Sequence, residues 1–229
     1  MAQFFISLVA FLVLHIVPSQ AGIRNNLVTR YGEKQYRIAY SLLSIALISW
    51  VIFATRKAPF IALWSPEPWQ YTFSINLMPW SFIFLFAALG AANPLSVALT
   101  AKSFDPVNPG IVAITRHPVL WGFGLWGIAH IPSNGDLVSL VFFGGMALFA
   151  FVGMKRLETK KRIELEEKEY DKLIQTTSVI PFIAILTKRT SFPFDRRLWL
   201  QVLIGIVGYL LFLQYGHSWL IGADPLAFY

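Results

Sequence analysis

Residues 137–154 read LVSLVFFGGMALFAFVGM without a single charge, and they run straight into KRLETKKRIELEEKEY at 155–170. An apolar run of this length crosses the roughly 30 Å hydrocarbon core of a bilayer as one helix, and the basic block after it extends that helix into the cytoplasm. Working outward, five further apolar runs bounded by charge or turn residues lie at 3–21, 38–55, 71–92, 118–133 and 198–219. Lipid offers no partner for an open strand edge, so all of these spans must be helical. The sequence therefore predicts an all-α polytopic membrane bundle of about six transmembrane helices. No internal repeat or low-complexity linker divides it, so residues 1–229 read as a single domain with a cytoplasmic helical extension over 155–197.

Composition agrees with that reading. Of the 229 residues 56% are hydrophobic and only 14% charged, with a mean hydropathy of +0.58. Soluble domains carry roughly 25% charged residues, which argues against a water-soluble globular enzyme. The chain has no cysteine, which excludes disulfides, thiolate metal sites, cysteine nucleophiles and iron–sulfur clusters. Four histidines are left as the soft ligands.

The net charge of +7 would suggest nucleic acid in a soluble protein, but here its position gives an orientation instead. With the N-terminus outside, the inner loops hold Arg24, Arg30, Lys34, Arg37, Lys102, Arg116 and every basic residue from Lys155 to Arg197. Only Arg56 and Lys57 of the 19 basic residues fall outside. The bias predicts an inner-membrane protein with both termini on the outer, periplasmic side. Trp64, Trp69, Tyr71, Trp80 and Trp219 fit interfacial belts, and the bilayer is the expected partner. Ser19-Gln20-Ala21 resembles a cleavage site, yet Met1 to Gln20 has no Lys or Arg to form a basic n-region, so the first run is kept as a helix. In the extension, Glu158 with Arg162 and Glu164 with Lys168 sit at i,i+4, a solvated helical face that demands no nucleic acid. Val179 to Leu186 is too short to span and is expected in the interface or under the bundle.

Polar groups inside apolar runs carry most of the functional information, because lipid tolerates them poorly. His15 follows Phe11-Leu12-Val13-Leu14, and His130 follows Trp126-Gly127-Ile128-Ala129. Each alone is accounted for by a bond to a neighbouring carbonyl or serine. Together, with no cysteine or carboxylate cluster nearby, two imidazoles on different helices suit axial ligation of haem iron. Gly122, Gly124 and Gly127 would let a flat macrocycle or a neighbouring helix come close. Depth counts against the pair: His130 lies about one turn from the outer surface, whereas His15 lies beyond the middle towards the cytoplasm. Arg116-His117-Pro118 opens the fourth span, where free amides attract anions. Arg116 and His117 would complete a phosphate or carboxylate site there, or serve only as an anchor and a surface residue. Pro132 to Asp136 reads as a tight turn, and His217 as an interfacial residue.

Gly110 to Pro118, continuing to Trp121-Gly122, Trp126, Ala129-His130 and Asn134-Gly135-Asp136, resembles the NnrU family. Leu14-His15 with Arg24, Gly32 to Arg37, and Thr177 to Phe182 extend the likeness over nearly the whole chain. The family includes a haem b membrane enzyme, zeta-carotene isomerase, and the resemblance implies that His15 and His130 stand at the positions proposed for its haem ligands. It implies either a cis/trans isomerase of carotenoid biosynthesis, acting on an apolar polyene, or an accessory role in nitrite and nitric oxide reduction during denitrification. In the first case Arg116 and His117 would hold a haem propionate. As an alternative, Arg116-His117-Pro118 with the acidic helix at 162–167 is similar to membrane methyltransferases of the isoprenylcysteine type, which use S-adenosylmethionine.

The charge asymmetry yields a direct test. Reporter fusions after Arg37, Lys102 and Lys172 should register in the cytoplasm, and fusions near Pro66, Gly135 and Tyr229 on the outer side; consistent inversion would overturn the orientation.

Overall fold

A computed structural model describes residues 1–97 and 104–227, all of the secondary structure being helical apart from one isolated bridge between Ala62 and Asp136. Lys102 and Tyr229, used above to place loops, lie outside the described residues. The chain forms two compact units, one comprising Met1–Trp64 with Asp136–Phe142, the other Ser65–Gly135 with the chain from Phe143 onward.

In the first unit, α1 (Ala2–Ile16) tightens into a 3₁₀ turn at Val17–Ser19, followed by α2 (Ala21–Tyr31) and α3 (Glu33–Lys57). Phe4, Ser7, Leu8 and Phe11 of α1 and Leu47, Val51 and Ala54 of α3 are buried. These are i, i+3, i+4, i+7 stripes, which is how two helices present matching faces. The tight end of α1 leaves carbonyls without helical partners, and two tyrosines of α3 supply them. Tyr40 donates to the His15 carbonyl at 2.7 Å and Tyr36 to that of Pro18 at 3.0 Å.

The second unit holds α4 (Pro68–Leu89), α5 (Ile111–Ile114), α6 (Pro118–Asn134), most of α7 (Leu137–Glu164), α8 (Glu167–Thr176), α9 (Ile183–Leu186) and α10 (Arg196–Leu211). A π turn at Phe212–Gly216 leads from α10 into α11 (His217–Ile221). Helix α4 packs on both α6 and α10. Its N-terminus is closed by a capping box, the Gln70 side chain accepting from the Glu67 N–H at 2.8 Å. Phe84, Ala87, Ile111, Val112, Ile114 and Leu198 form the core, and Phe182 and Ile185 of the short 179–186 stretch pack against it.

Among the described residues five helical stretches are long and apolar enough to cross a membrane: Ala2–Ser19, Glu33–Lys57, Pro68–Leu89, Leu137–Glu164 and Arg196–Ile221. Ile6, Leu42, Leu148 and Leu203 are each more than half exposed, an arrangement that suits hydrocarbon and would be costly in water. The chain is an integral membrane protein. The remaining expected span, the fourth at 118–133, corresponds to α6, whose 17 residues reach about 25 Å, short of the 30 Å core. The expected turn at 132–136 shrinks to Gly135 and Asp136, because α6 continues through Pro132. Ser74 donates to the Ala129 carbonyl at 2.6 Å and Asn134 to that of His130 at 2.6 Å, so side chains cover carbonyls in the turn that the proline disturbs. Gly135 then takes a left-handed φ of +68°, and Asp136 caps α7 by accepting from Val138 and Ser139 N–H, both at 3.0 Å.

The glycines of α6 are occupied by neighbouring helices. A Cβ on Gly122 would lie 2.5 Å from Leu85, and one on Gly127 would lie 2.6 Å from the Phe143 carbonyl oxygen. Backbone cannot give way as a flexible side chain can. Gly127→Ala should therefore lower stability by about 1–3 kcal/mol in thermal unfolding of the detergent-solubilised protein. Gly145, with nothing within 4 Å of a Cβ, should accept alanine without loss.

Candidate functional site

Between α5 and α6 the chain passes through Thr115, Arg116 and His117, all buried. Pro118 at the first helical position disfavours the α conformation in the residue before it, and His117 takes φ −120°, ψ 54° as the cap of α6. The Arg116 N–H donates to the Ser178 carbonyl at 2.8 Å, and Thr115 Oγ1 and Trp121 Nε1 both donate to the Val179 carbonyl, at 2.7 and 2.8 Å. Asn93 Nδ2 donates to the Arg116 carbonyl at 2.7 Å. Two stretches that the sequence read separately, 115–121 and 177–182, are thus one hydrogen-bonded unit.

His117 is fully buried and engaged at both nitrogens. Nε2 lies 2.9 Å from Glu158 Oε1, and Nδ1 lies 2.8 Å from Ser96 Oγ. An ionised carboxylate only accepts, so Nε2 donates to Glu158, and in the neutral ring Nδ1 accepts the Ser96 hydroxyl. Arg116 Nη1 is 3.5 Å from Glu158 Oε2. That is a charge pairing, since Arg116 Nε and Nη1 make no hydrogen bond among the described residues. Burial pushes the Arg116 guanidinium down from its usual range and Glu158 pushes it back up. Trp121, Phe151, Met154 and Ile180 border an apolar groove that runs onto Glu158.

Glu158 and Ser96 were missed by sequence reasoning. Glu158 serves His117 and Arg116 instead of Arg162, and Glu164 pairs with Lys160 and Lys161 at 3.6 and 2.9 Å instead of Lys168. Helix α7 ends at Glu164 and α8 begins at Glu167, so the helical spacing that would join Glu164 to Lys168 is broken.

At the other end of α6, His130 Nδ1 donates to the Trp126 carbonyl at 2.8 Å. This fixes the tautomer and leaves the Nε2 lone pair for another partner. Phe143 stacks on the ring at 4.7 Å with planes 19° apart, and Trp126 lies at 5.4 Å. His217, read from sequence as merely interfacial, has its ring centroid 6.4 Å from that of His130 with planes 15° apart. No periodicity argument could have found this, because the π turn before His217 resets the helical register.

His15 belongs to the first unit. Its Nδ1 lies 3.2 Å from Ser44 Oγ, and its ring contacts Phe11 and Tyr40, each at 5.3 Å. Arg116 and His117 come together as expected, but about 20 Å of helix axis separates them from His130. The two ends of α6 are therefore two separate polar clusters. Among the described residues no group of three or more His, Cys, Asp or Glu could hold a bare metal ion.

Fold and sites define an all-helical membrane protein with imidazoles in its apolar helices and a buried Arg–His–Glu cluster. The chain belongs to the NnrU protein family, which it matches over residues 3–225. It is similar to the chloroplastic 15-cis-zeta-carotene isomerases of Zea mays, 30% identical over 197 residues, and of Arabidopsis thaliana, 28% identical over 200 residues. Each alignment covers 82% of this chain but 51% and 52% of the relatives, so the chain spans about half their length. No solved structure matches it at a significant level.

Removing one member of a buried charged cluster strands the rest. Glu158→Ala should cost about 3–5 kcal/mol in thermal unfolding, and Glu158→Gln, which keeps an acceptor for His117, distinctly less.

Proposed function

We propose that this NnrU-family protein binds haem b in its membrane helices and acts as a cis/trans isomerase on an apolar polyene of the carotene class. The observation that carries the reading is His130. Its Nδ1–H is tied to a backbone carbonyl, its Nε2 is left as a ligand, and aromatic rings shield it from water. The donor set suits a macrocyclic metal, because a porphyrin supplies four of the six positions around iron and only one or two imidazoles are then required. The relatives' printed name, 15-cis-zeta-carotene isomerase, supports the substrate class.

Haem, when bound, would supply the electronic chemistry for rotating a conjugated double bond. The protein's part is to hold the imidazole in one tautomer, to exclude water with Phe143 and Trp126, and to admit a long apolar molecule from the bilayer. The methyltransferase alternative has less support, since His117 has no nitrogen left to bind the carboxylate of S-adenosylmethionine.

Purified protein should show a haem b spectrum in oxidised and reduced forms. His130→Ala should abolish or shift that spectrum, and His15→Ala tests the pairing that the family resemblance implies. Arg116→Ala should leave the haem absorption bands in place, because 20 Å of helix separates it from His130. A wild-type chain that takes up no haem would overturn the reading, as would saturable S-adenosylmethionine binding that vanishes with Arg116→Ala.

A further inference from the structure

We propose that the groove between α6 and α7 binds an anionic phospholipid, with an acyl chain along Trp121, Phe151 and Ile180 and the phosphate at Lys155. Such a site requires neither haem nor isomerase activity.

Depth is the first observation. Residues 137–154 carry no charge, and Lys155 is the first residue after them that does. That stretch of helix rises about 27 Å, nearly the full hydrocarbon core, so the boundary between hydrocarbon and headgroups falls at Lys155. Phe151, Lys155 and Thr159 follow one another at i, i+4 and i+8 on α7, and all three line the groove. Its wall is therefore apolar on the hydrocarbon side, where Trp121, Phe151 and Ile180 stand, and polar beyond it, where Lys155, Glu158 and Thr159 stand. About 450 Å³ of space puts it in the size range of ligand sites. Ile180 is more than half exposed, which leaves the rim open to a molecule arriving from the bilayer. An amphiphile matches this wall along its whole length, whereas a polyene without a headgroup would leave the polar end unused.

Charge is the second observation. Glu158 is already answered from behind by His117 Nε2 at 2.9 Å and by Arg116 Nη1 at 3.5 Å. The Arg116 guanidinium offsets its charge, and the neutral His117 ring adds none. Lys160 and Lys161 are both drawn to Glu164. Lys155 forms no ion pair among the described residues, so the groove ends in one uncompensated positive charge. A basic cluster directly after a span attracts anionic headgroups, and five of the eight residues from Lys155 to Arg162 are basic. Of those five, Lys155 alone lines the groove.

The test uses the full chain purified in an uncharged detergent, with phosphatidylglycerol or phosphatidylcholine titrated in and thermal unfolding as the readout. Phosphatidylglycerol should raise Tm saturably, and native mass spectrometry should show one lipid retained per chain. Lys155→Gln should weaken the apparent affinity about fivefold, the worth of one cation beside an anionic lipid, and Ile180→Ser should weaken it as well. Arg156→Gln, which removes the same charge one residue off the groove, should leave it unchanged. All three side chains are exposed, so the variants should fold, and the Tm of each without lipid is its baseline. No saturable shift with phosphatidylglycerol overturns the site directly. Equal losses in Lys155→Gln and Arg156→Gln would mean diffuse attraction to the basic block and overturn it too. Equal stabilisation by phosphatidylcholine would show that the head charge is not read. Equal stabilisation by inorganic phosphate, or an Ile180→Ser variant without effect, would show that the apolar wall adds nothing. Either result sinks the proposal. Stabilisation by a carotene and none by phosphatidylglycerol would hand the groove to the polyene. A chain that takes up no haem removes the proposed function and leaves this test intact.

Discussion

Hydrocarbon offers no hydrogen bonds, and the rest of this structure follows from that constraint. Backbone groups in the apolar runs must be paired within the chain, which makes every long element a helix. Where a helix is disturbed, side chains take over the pairing. Tyr36 and Tyr40 cover carbonyls at the tight end of α1, and Ser74 and Asn134 cover those near Pro132. Ser81 donates to the Gly122 carbonyl at 2.7 Å, where α4 packs on α6.

The same constraint shapes the polar sites. An imidazole or guanidinium in an apolar setting is held only where its donors are used, and His117 shows this fully, with Ser96 on one nitrogen and Glu158 on the other. Arg116 is less completely satisfied, since among the described residues its Nε and Nη1 make no hydrogen bond and the charge of Glu158 lies nearby. His130 and His217 each use one nitrogen on the backbone and keep one in reserve. That contrast assigns different work to the two ends of α6. The Arg116 end is a hydrogen-bonded network that joins 115–121 to 177–182 and to α7, whereas at the His130 end one nitrogen of each ring has no hydrogen bond among the described residues.

Glycine at the helix contacts serves packing. Gly122 and Gly127 allow α4 and α7 to approach α6 to distances that a Cβ would prevent. In a bilayer, where lipid tails are as apolar as leucine, such close packing is a main source of helix association. The room at those glycines is thus taken up by α4 and α7.

Sequence alone determined the helical class, the positions of most spans to within a few residues, and the family, because hydropathy and local motifs are properties of contiguous residues. The runs at 38–55, 71–92 and 137–154 all fall inside α3, α4 and α7 or within three residues of their ends. His15, Arg116, His117 and His130 were visible as polar groups in or beside apolar stretches. Tertiary structure decided their partners. Glu158 looks from sequence like one member of a charged helical face, and only folding brings it to His117, 41 residues away. His217 looked interfacial because a π turn breaks the 3.6-residue register by which faces are read. The length of α6 separates Arg116 from His130, although both stood in one motif. Periodicity describes a helix by itself, while the pairing of buried polar groups depends on which helices meet and at what depth, and that is set by packing across the chain.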